Sequence, residues 1–304
     1  MNQPRFVEQR EPEEVFTLLS DDNRVAILRA LWDGDGPITF SELHDAVGIG
    51  DSGQFNYHLD KLVGQFVDKT DGGYELTASG EQINGAIEAG SYTTSGRMEP
   101  IELDKPCTTC GGTRTFYYED EMARVDCDSC TVQARFTIPP SAFVNCDREE
   151  IPGIAGDYLR SIIEQLEWGF CSRCDGPVER EVCRIVDSAM WEPPAEEDID
   201  SIPFDDPRDI PSVEYECLQC GAQPTGGLTD SLLTHPEVVS FYHERGIDIR
   251  ERPIWEVMYG TEYEEVCSTD PFRASTTFTA DGDELTVVVD RALHVVETEV
   301  DEAT

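Results

Sequence analysis

The sequence predicts an α+β protein with more than one domain, and three observations support this class. The chain has 304 residues, which is longer than a typical domain of about 100–150 residues. Apolar residues recur at helical spacing through most of residues 1–90, and one segment late in that range alternates apolar and polar residues instead. Beyond it, strand-like runs lie between pairs of cysteines. Helices and strands are thus predicted in separate blocks, as in α+β proteins.

The chain is strongly acidic. It has 63 Asp and Glu against 22 Lys and Arg, a formal net charge of -41, and its only lysines are Lys61, Lys69 and Lys105. A dispersed acidic excess with scarce lysine is typical of proteins that work in molar salt, where the Debye length falls to about 3 Å and self-repulsion is screened. We therefore expect the host to be an extreme halophile.

The sequence shows neither a secretory signal nor a membrane span. The segment "MNQPRFVEQREPEEV" has no apolar core, and no run approaches the roughly 18 apolar residues that a span requires. We expect a cytoplasmic protein without membrane contact, in which thiols stay reduced. The eleven cysteines then indicate metal or redox chemistry rather than disulfides.

Five helices and one hairpin are predicted in the N-terminal region. "EEVFTLLSDDNRVAILRALWDG" predicts two helices, with Ser20 and Asp21 as candidate N-caps between them. "ITFSELHDAVGIG" predicts a third, capped by Thr39 or Ser41 and ended by Gly48, and "DSGQFNYHLDKLVGQ" a fourth. "FVDKTDGGYELTASG" alternates around "DGG", which indicates a hairpin. "TASGEQINGAIEAG" predicts a last helix before the polar linker "SYTTSGRMEP".

Helices followed by a hairpin in this order are typical of a winged helix-turn-helix. The segment from about Glu13 to Gly90 resembles the arsenical-resistance-regulator (ArsR) family of winged-helix repressors, on "DDNRVAILRAL", the F-x-Y-H-L-x-K-L pattern and "LTASGEQI". It is most similar to the haloarchaeal members. The resemblance implies that residues 1–96 form a winged-helix DNA-binding domain. Because one recognition helix covers a half-site, a homodimer on double-stranded DNA is expected.

The fourth helix is the predicted recognition helix. Its hydrogen-bonding side chains suit base edges in the major groove, and Lys61 with Lys69 of the hairpin suit phosphates. The predicted DNA contacts are Ser52, Gln54, Asn56, Tyr57, His58, Lys61 and Lys69. Two alternatives remain open. The polar face could belong to a protein-binding winged helix, and His58 could be a hydrogen-bonded structural residue.

Metal sensing and catalysis find no support in the sequence. ArsR-like arsenic and cadmium sensors carry cysteines in the third helix, where this chain has "SELHDAV", with His44 and Asp45 as an expected exposed pair. No H-E-x-x-H, P-loop, G-x-S-x-G or dinucleotide motif occurs. We expect that the protein is not an enzyme.

The strongest motif is a C-x2-C-x16-C-x2-C pattern, formed by Cys107, Cys110, Cys127 and Cys130. Two thiolates on one tight turn share a metal ion, and a second such turn completes a tetrahedron. The spacing is typical of zinc, and no thioredoxin-like βαβ pattern supports the redox alternative. Two strands, separated by "EDE", are predicted between the pairs.

A second set repeats this plan with 42 residues between its pairs, and consists of Cys171, Cys174, Cys217 and Cys220. The excess length is mostly an acidic, proline-rich insert, Glu192 to Asp209, which is predicted to be a solvated loop. Cys183 is a possible substitute ligand, although its strand-like surroundings favour burial. Cys146 and Cys267 lack partners and are predicted to be plain thiols.

Both sets offer four thiolates and no open position, which is typical of structural zinc. We expect two zinc ions per chain in zinc-ribbon-like modules, with scaffolding slightly preferred over direct binding. Exposed cations and aromatics would mark a nucleic-acid footprint, and the nearest approach to one is the set Arg114, Tyr117, Tyr118, Arg124 and Arg135. Strand packing explains the tyrosines equally well.

The remaining elements complete a C-terminal α+β region. A helix over "GIAGDYLRSIIEQLEWGF" is predicted to use Ile154, Tyr158, Ile162 and Leu166 at helical spacing, and "HPEVVSFYHERG" predicts another. The tail predicts two strands around "ADGDE" with "LHVVETEV" paired to them. We divide this region into a first ribbon (97–150) and a second ribbon with insert, helices and hairpin (151–304), or treat 97–304 as one domain. It resembles the uncharacterised zinc-ribbon domain behind winged helices in haloarchaeal regulators.

The sequence therefore favours a DNA-binding transcriptional regulator of a halophilic archaeon. Its C-terminal region would supply zinc-stabilised structure, dimer contacts, or a site for a protein or small-molecule effector. The main alternative is a protein–protein adaptor of the transcription machinery whose winged helix does not read bases. A zinc-dependent nucleic-acid enzyme is less favoured, because both metal sites are predicted to be saturated.

Overall fold

The computed structural model of the protein describes residues 10–90, 92–107, 110–130, 133–188, 210–257 and 264–303. The chain divides into an N-terminal unit (Met1–Ser95 and Pro139–Ser141) and a C-terminal unit (Gly96–Ile138 and Ala142–Thr304). Both helices and sheets occur, which confirms the predicted α+β class. The predicted solvated loop at Glu192–Asp209 lies outside the described residues. In the described part of the chain, no helix has the length and apolar character needed to cross a membrane.

Helices dominate the N-terminal unit, and a two-stranded antiparallel hairpin accompanies them. In its described part the elements are α1 (Pro12–Thr17), α2 (Asp22–Trp32), α3 (Phe40–Val47), α4 (Ser52–Leu62), β1 (Val67–Thr70), β2 (Gly73–Leu76) and α5 (Ala78–Glu88). They share one hydrophobic core, to which α2 and α4 contribute most of the fully buried side chains.

The helix boundaries follow from short polar caps. Asp21 accepts hydrogen bonds from the first turn of α2, and Asp51 accepts one from the backbone N–H of Gln54 in α4 at 2.9 Å. Thr39 and Glu42 form a reciprocal capping box at the start of α3. Gly48 ends α3 in the left-handed conformation. The caps predicted at Asp21, Thr39 and Gly48 are confirmed.

The hairpin is held against the segment that precedes α3. Ile38 and Tyr74 exchange two backbone hydrogen bonds, at 2.8 and 2.9 Å. Gly73 makes this approach possible, because a Cβ at residue 73 would lie 2.3 Å from the carbonyl oxygen of Ile38. The hairpin is therefore fixed to this segment. Its residues Val67 and Tyr74 lie in the same core as Leu62 at the end of α4.

Three sheets and three helices make up the described part of the C-terminal unit. Its elements are β3 (Ile101–Glu102), β4 (Arg114–Glu119), β5 (Met122–Cys127), β6 (Gln133–Thr137), α6 (Ile151–Glu167), β7 (Val178–Arg184), β8 (Pro211–Cys217), β9 (Thr225–Gly226), α7 (Leu228–Leu232), α8 (Pro236–Glu244), β10 (Glu264–Thr269), β11 (Phe272–Ala280), β12 (Asp283–Val289) and β13 (Val295–Asp301). The antiparallel sheets have the orders β3-β4-β5-β6, β7-β8-β9 and β10-β11-β12-β13. Short 3-10 turns lie at Pro140–Phe143, Arg148–Glu150, Ile185–Asp187 and Ile254–Glu256.

One hydrophobic cluster joins the three sheets and α6. The buried face of α6 is rotated from the predicted one. Of the four predicted residues, Leu166 is buried, whereas Ile154, Tyr158 and Ile162 are half-buried and pack at the margin of the cluster. Ile151, Ala155 and Leu159 are buried in their place. Gly156 lies on the buried side of the helix, where a Cβ would come within 3.0 Å of Ile254, so the small residues that the predicted stripe left out are the ones in close contact with the core.

Two details of the sheets differ from the sequence-based expectation. The end of the predicted polar linker is bonded to the first sheet, because the backbone N–H of Met98 donates a hydrogen bond to the carbonyl of Tyr118 at 3.1 Å. The sheet of the tail also has a fourth strand, β10, at its edge. The turn predicted at "ADGDE" is confirmed, since Asp281 and Gly282 both have positive φ between β11 and β12.

Candidate metal centres and the exposed face of helix α4

Both predicted cysteine sets come together as compact groups. In each group of four, the Sγ atoms all lie within 4.8 Å of one another. Cys107–Cys130 and Cys171–Cys220 are separated by 3.8 Å, Cys110–Cys127 by 3.4 Å and Cys174–Cys217 by 3.5 Å. Four sulfurs placed about 2.3 Å from a central ion at tetrahedral angles would be about 3.8 Å apart, whereas a disulfide requires about 2.0 Å. Both sets are therefore positioned to hold a metal ion.

Three of the four cysteine turns, those that begin at Cys107, Cys171 and Cys217, share one backbone geometry. The N–H of the residue after the second cysteine donates to the carbonyl of the first cysteine at 2.8 Å for Gly111, 2.9 Å for Asp175 and 2.9 Å for Gly221. These three residues have φ of 75°, 55° and 70°. A left-handed residue at this point reverses the chain, so that both sulfurs of a pair face the same centre.

Strand pairing brings the two turns of each group together. Cys127 is the last residue of β5 and pairs with Arg114, the first residue of β4. Cys217 is the last residue of β8 and pairs with Val178, the first residue of β7. In both groups, therefore, the second cysteine turn begins beside the point where the first one ends. The internal repeat predicted from the sequence is a repeat of this geometry.

Backbone N–H groups point at several of the sulfurs. They donate to Cys110 from Gly112 at 3.4 Å and to Cys217 from Cys220 at 3.4 Å. The bond from Cys220 is the largest cause that lowers the pKa of Cys217 to about 6, while burial and hydrogen bonds with the other three thiols raise the pKa of its neighbour Cys174 to about 12. In this group, therefore, Cys217 is the thiol that ionises first. Donors aimed at sulfur favour the thiolate, which is the form that binds metal.

Cys183 does not belong to the second group. It is buried and lies opposite Ser212, at the end of β7 far from Cys217. Burial raises the pKa of the Cys183 thiol to about 11, which keeps it protonated. The alternative in which Cys183 replaces a ligand is therefore not supported by the geometry.

Exposed apolar side chains surround the second cysteine group. Trp168 is 81% exposed, and Phe170 and Leu218 are also exposed. Phe170 forms a β-bridge with Pro177, and the N–H of Leu218 donates to the carbonyl of Pro177 at 3.0 Å, so Phe170 and Leu218 lie on either side of Pro177. Contiguous exposed apolar surface is typical of a contact with another macromolecule.

Helix α4 presents one polar face to solvent. Phe55, Leu59 and Leu62 are fully buried on its other face. The side chains of Ser52, Gln54, Asn56, Tyr57 and Lys61 are exposed. The Nζ atom of Lys61 lies 5.6 Å from the centre of the Tyr57 ring, a cation–π contact on the helix surface. Asn56 donates a hydrogen bond to Asp60 at 2.8 Å, so its amide is already partly engaged.

His58 lies inside the unit rather than on this face. It is 6% exposed, its Nδ1 is 3.3 Å from Asp21 and its Nε2 is 3.4 Å from the side-chain nitrogen of Asn23. These contacts connect α4 to the N-terminus of α2 and agree with the structural alternative. A signal in the sequence could have shown this, since residue 58 follows Phe55 by three positions and precedes Leu62 by four.

Two further predicted positions can be located. Lys69 of β1 is exposed, with its Nζ 5.5 Å from the centre of the Tyr74 ring. His44 was expected to be exposed, but its side chain is only 23% exposed, and its ring stacks against Phe40 and meets Phe55 edge to face. Apolar neighbours on α3 and α4 explain this difference.

These features together define an α+β protein with two four-cysteine groups built to hold metal ions. Residues 104–295 match the profile of a family described as a domain of unknown function (DUF7351). The match covers well over half of the chain, which therefore belongs to this family. Residues 12–87 match a second domain of unknown function (DUF7347). No curated protein and no solved structure matches the chain.

Proposed function

We propose that the protein is a DNA-binding transcriptional regulator of a halophilic archaeon, in which a winged helix in the N-terminal unit reads the major groove. The observation that carries this proposal is the exposed polar face of α4 beside a hairpin that carries Lys69. The order α3, a four-residue turn, α4 and a hairpin is that of a winged helix-turn-helix. In such a fold the second helix meets base edges and the hairpin meets the backbone.

The proposed base contacts are Ser52, Gln54, Asn56 and Tyr57, with Lys61 and Lys69 on phosphates. Amide and hydroxyl groups read bases through hydrogen bonds, and glutamine suits adenine in particular. His58 takes no part in base reading, because its ring is engaged with α2. Its role is to hold the recognition helix at a fixed angle.

The metal in both cysteine groups is proposed to be zinc. Four thiolates with tetrahedral separations suit Zn²⁺, and four protein ligands leave no position for a water or substrate. The ions would then stabilise the turns at the ends of β4, β5, β7 and β8 rather than take part in catalysis. Metal analysis of the purified chain should return two zinc ions, and one for Cys110→Ser or for Cys174→Ser. A single zinc in the unchanged protein would contradict the second site.

In vitro selection from a random duplex library, in molar KCl, tests the DNA-binding proposal. The full chain should enrich a short motif, preferably palindromic if it binds as a homodimer. Gln54→Ala should relax the preference at one base pair and weaken binding to the selected motif by about tenfold or more. The matched control is Gln82→Ala, an exposed glutamine on α5, which should leave the motif and the affinity unchanged. Equal effects of the two variants would contradict base reading by α4.

A protein–protein adaptor of the transcription machinery is the second candidate. The exposed apolar surface of Trp168, Phe170 and Leu218 favours it, because buried aromatics dominate protein interfaces. In that case the selection would yield no motif, and Trp168→Ala would impair regulation in cells while Gln54→Ala would not.

A further inference from the structure

The solvent face of the first sheet carries an ordered row of arginine and tyrosine. Tyr117 on β4 is directly opposite Arg124 on β5, and Arg124 is directly opposite Arg135 on β6. Alternate residues of the same strands, including Phe116 and Val125, are buried in the core. Strand register therefore places the three side chains side by side on one outer surface.

This row is electrostatically unfavourable without a ligand. Arg124 and Arg135 are like charges at directly opposed positions, which destabilises a sheet. The guanidinium of Arg135 is exposed and has neither an ion pair nor a hydrogen bond with any residue in the described part of the chain. Arg124 is paired with Asp126, so Arg135 is the member of the row without a carboxylate partner among the described residues. In a chain with 63 acids and 22 bases, an exposed arginine left in this state beside a second one indicates a place for an anion.

A cavity of about 690 Å³ lies over this row. The volume is within the range of about 300–1,000 Å³ that is usual for small-molecule sites. Arg97, whose Nη1 is 3.9 Å from Glu119, adds a third guanidinium to the lining. Met98 and Met122 contribute apolar surface at its edge.

Arg124 is positioned to stack on a planar ring. Its guanidinium lies over the Tyr117 ring, with Cζ 4.5 Å from the ring centre, and Nη1 is 3.1 Å from Asp126. These contacts fix the position of the guanidinium, while the Arg124 side chain is still 44% exposed. Nucleobases stack on surfaces of this kind, both arginine planes and aromatic rings.

The acidic residues of the lining restrict the class of ligand further. Glu119 and Asp120 lie at the same cavity, so its lining has three positive and two negative groups. A simple polyanion would be opposed by these carboxylates. Ribose hydroxyls, in contrast, donate hydrogen bonds to carboxylates while the phosphate pairs with guanidinium groups.

We propose that this face of the C-terminal unit binds a nucleotide. The base stacks on Arg124, the phosphate is held by Arg135 and Arg97, and sugar hydroxyls donate to Glu119 or Asp120. The nucleotide is either a free one, which would make the site an effector site, or one unit of a single strand. The site is separate from the duplex-reading face of α4 and does not depend on it.

Titration of the full chain with fluorescently labelled ATP and with a labelled short oligouridylate, whose units keep the ribose 2′-hydroxyl, tests the proposal and separates the two sources. Fluorescence anisotropy should show saturable binding of one probe. Arg135→Gln should weaken it by at least about tenfold, the usual effect of losing a charge-assisted phosphate contact. Arg250→Gln is the matched control, because this exposed arginine pairs locally with Asp248 and lies outside the cavity. It should leave the affinity unchanged.

Two results would overturn the proposal. One is the absence of saturable binding of both probes at millimolar concentration. The other is equal weakening by Arg135→Gln and Arg250→Gln, which would indicate only a general effect of net charge. Gln54→Ala should not alter binding of either probe, so failure here and failure of the duplex-reading proposal are distinguishable. Unchanged zinc content shows that each variant is folded.

Discussion

Two carboxylates of the C-terminal unit, Asp230 and Glu264, are buried side by side at the start of α7. Oε1 of Glu264 accepts hydrogen bonds from the N–H and hydroxyl of Thr229 at 2.7 and 2.5 Å. Oδ2 of Asp230 accepts one from the N–H of Gly227 at 3.3 Å, and its Oδ1 has no hydrogen-bond partner among the described residues. Burial, followed by the charge of Glu264, raises the pKa of Asp230 well above its usual value.

Replacement of Asp230 by asparagine should therefore stabilise the protein at neutral pH. Because folding raises the pKa of this carboxyl group, it releases its proton more readily in the unfolded chain than in the folded one, so stability falls as the pH rises above about 4 towards the folded pKa. Asp230→Asn removes that loss, with an expected gain of about 1–3 kcal/mol at neutral pH. The gain should shrink as the pH approaches about 4. Denaturant unfolding of both proteins at several pH values measures it.

The control for this prediction is Asp248→Asn. Hydrogen bonds from Arg250 lower the pKa of Asp248 to about 2, so its carboxylate is stabilised by folding and its removal should bring no gain at neutral pH. Because all the proteins share the same cysteine groups, loss of metal at low pH cancels in the comparison. A gain that does not depend on pH would contradict a raised pKa of the buried Asp230.

At the scale of elements, the cysteine turns depend on one left-handed residue. Gly221 has φ of 70°, and the equivalent Asp175 shows that a short polar side chain tolerates this conformation. Gly221→Val should weaken metal binding at the second group by about tenfold, since a β-branched residue resists positive φ. Gly221→Asn should bind within a few-fold of the unchanged protein. Competition with a chromophoric chelator measures both, and equal losses would show that the conformation is not the cause.

Elements with local signals were predictable from the sequence. Caps at Asp21, Thr39 and Gly48 mark helix ends through backbone chemistry that involves only neighbouring residues. The two cysteine groups were predictable because each pair lies on one turn. The 42 residues between the pairs of the second group exceed the spacing usual for zinc sites. The group still forms, because β7 and β8 bring its two pairs together.

Features set by distant parts of the chain were not predictable. The buried face of α6 depends on sheets that are distant in the sequence, so its own periodicity placed Leu166 correctly but the rest of the stripe one residue away. The set of Arg114, Tyr117, Tyr118, Arg124 and Arg135 divides between two faces, because Arg114 and Tyr118 are buried. Strict alternation along β4 could have separated them. The approach of Asp230 to Glu264 leaves no local signal.

For the whole molecule, the net charge of -41 determines which interactions could drive the proposed binding to DNA. At low salt, counterion release from phosphates normally drives binding, and so acidic a protein would gain little from it. In molar KCl that contribution is small for any protein. Groove fit and hydrogen bonding by uncharged groups of α4 would then supply the affinity. The large charge and the proposed function are compatible under these conditions.

The dependence of duplex binding on salt should accordingly be weak. With Lys61 and Lys69 as the proposed phosphate contacts, a plot of log affinity against log KCl should have a slope of about -2 per chain. Lys61→Gln should reduce the slope by about one. Anisotropy titrations of the selected duplex across a range of KCl concentrations measure it. A steep fall in affinity as KCl rises would mean that phosphate attraction dominates and that the explanation is wrong.

Chromatin immunoprecipitation with sequencing in the native host tests the central claim most directly, because it preserves the salt and any effector. If α4 reads bases, the unchanged protein should occupy discrete sites that share a short motif. The double variant Gln54→Ala, Tyr57→Ala should lose that enrichment, while Gln82→Ala should keep it. Occupancy that is unchanged in the double variant, or sites that share no motif, would contradict sequence reading by this helix.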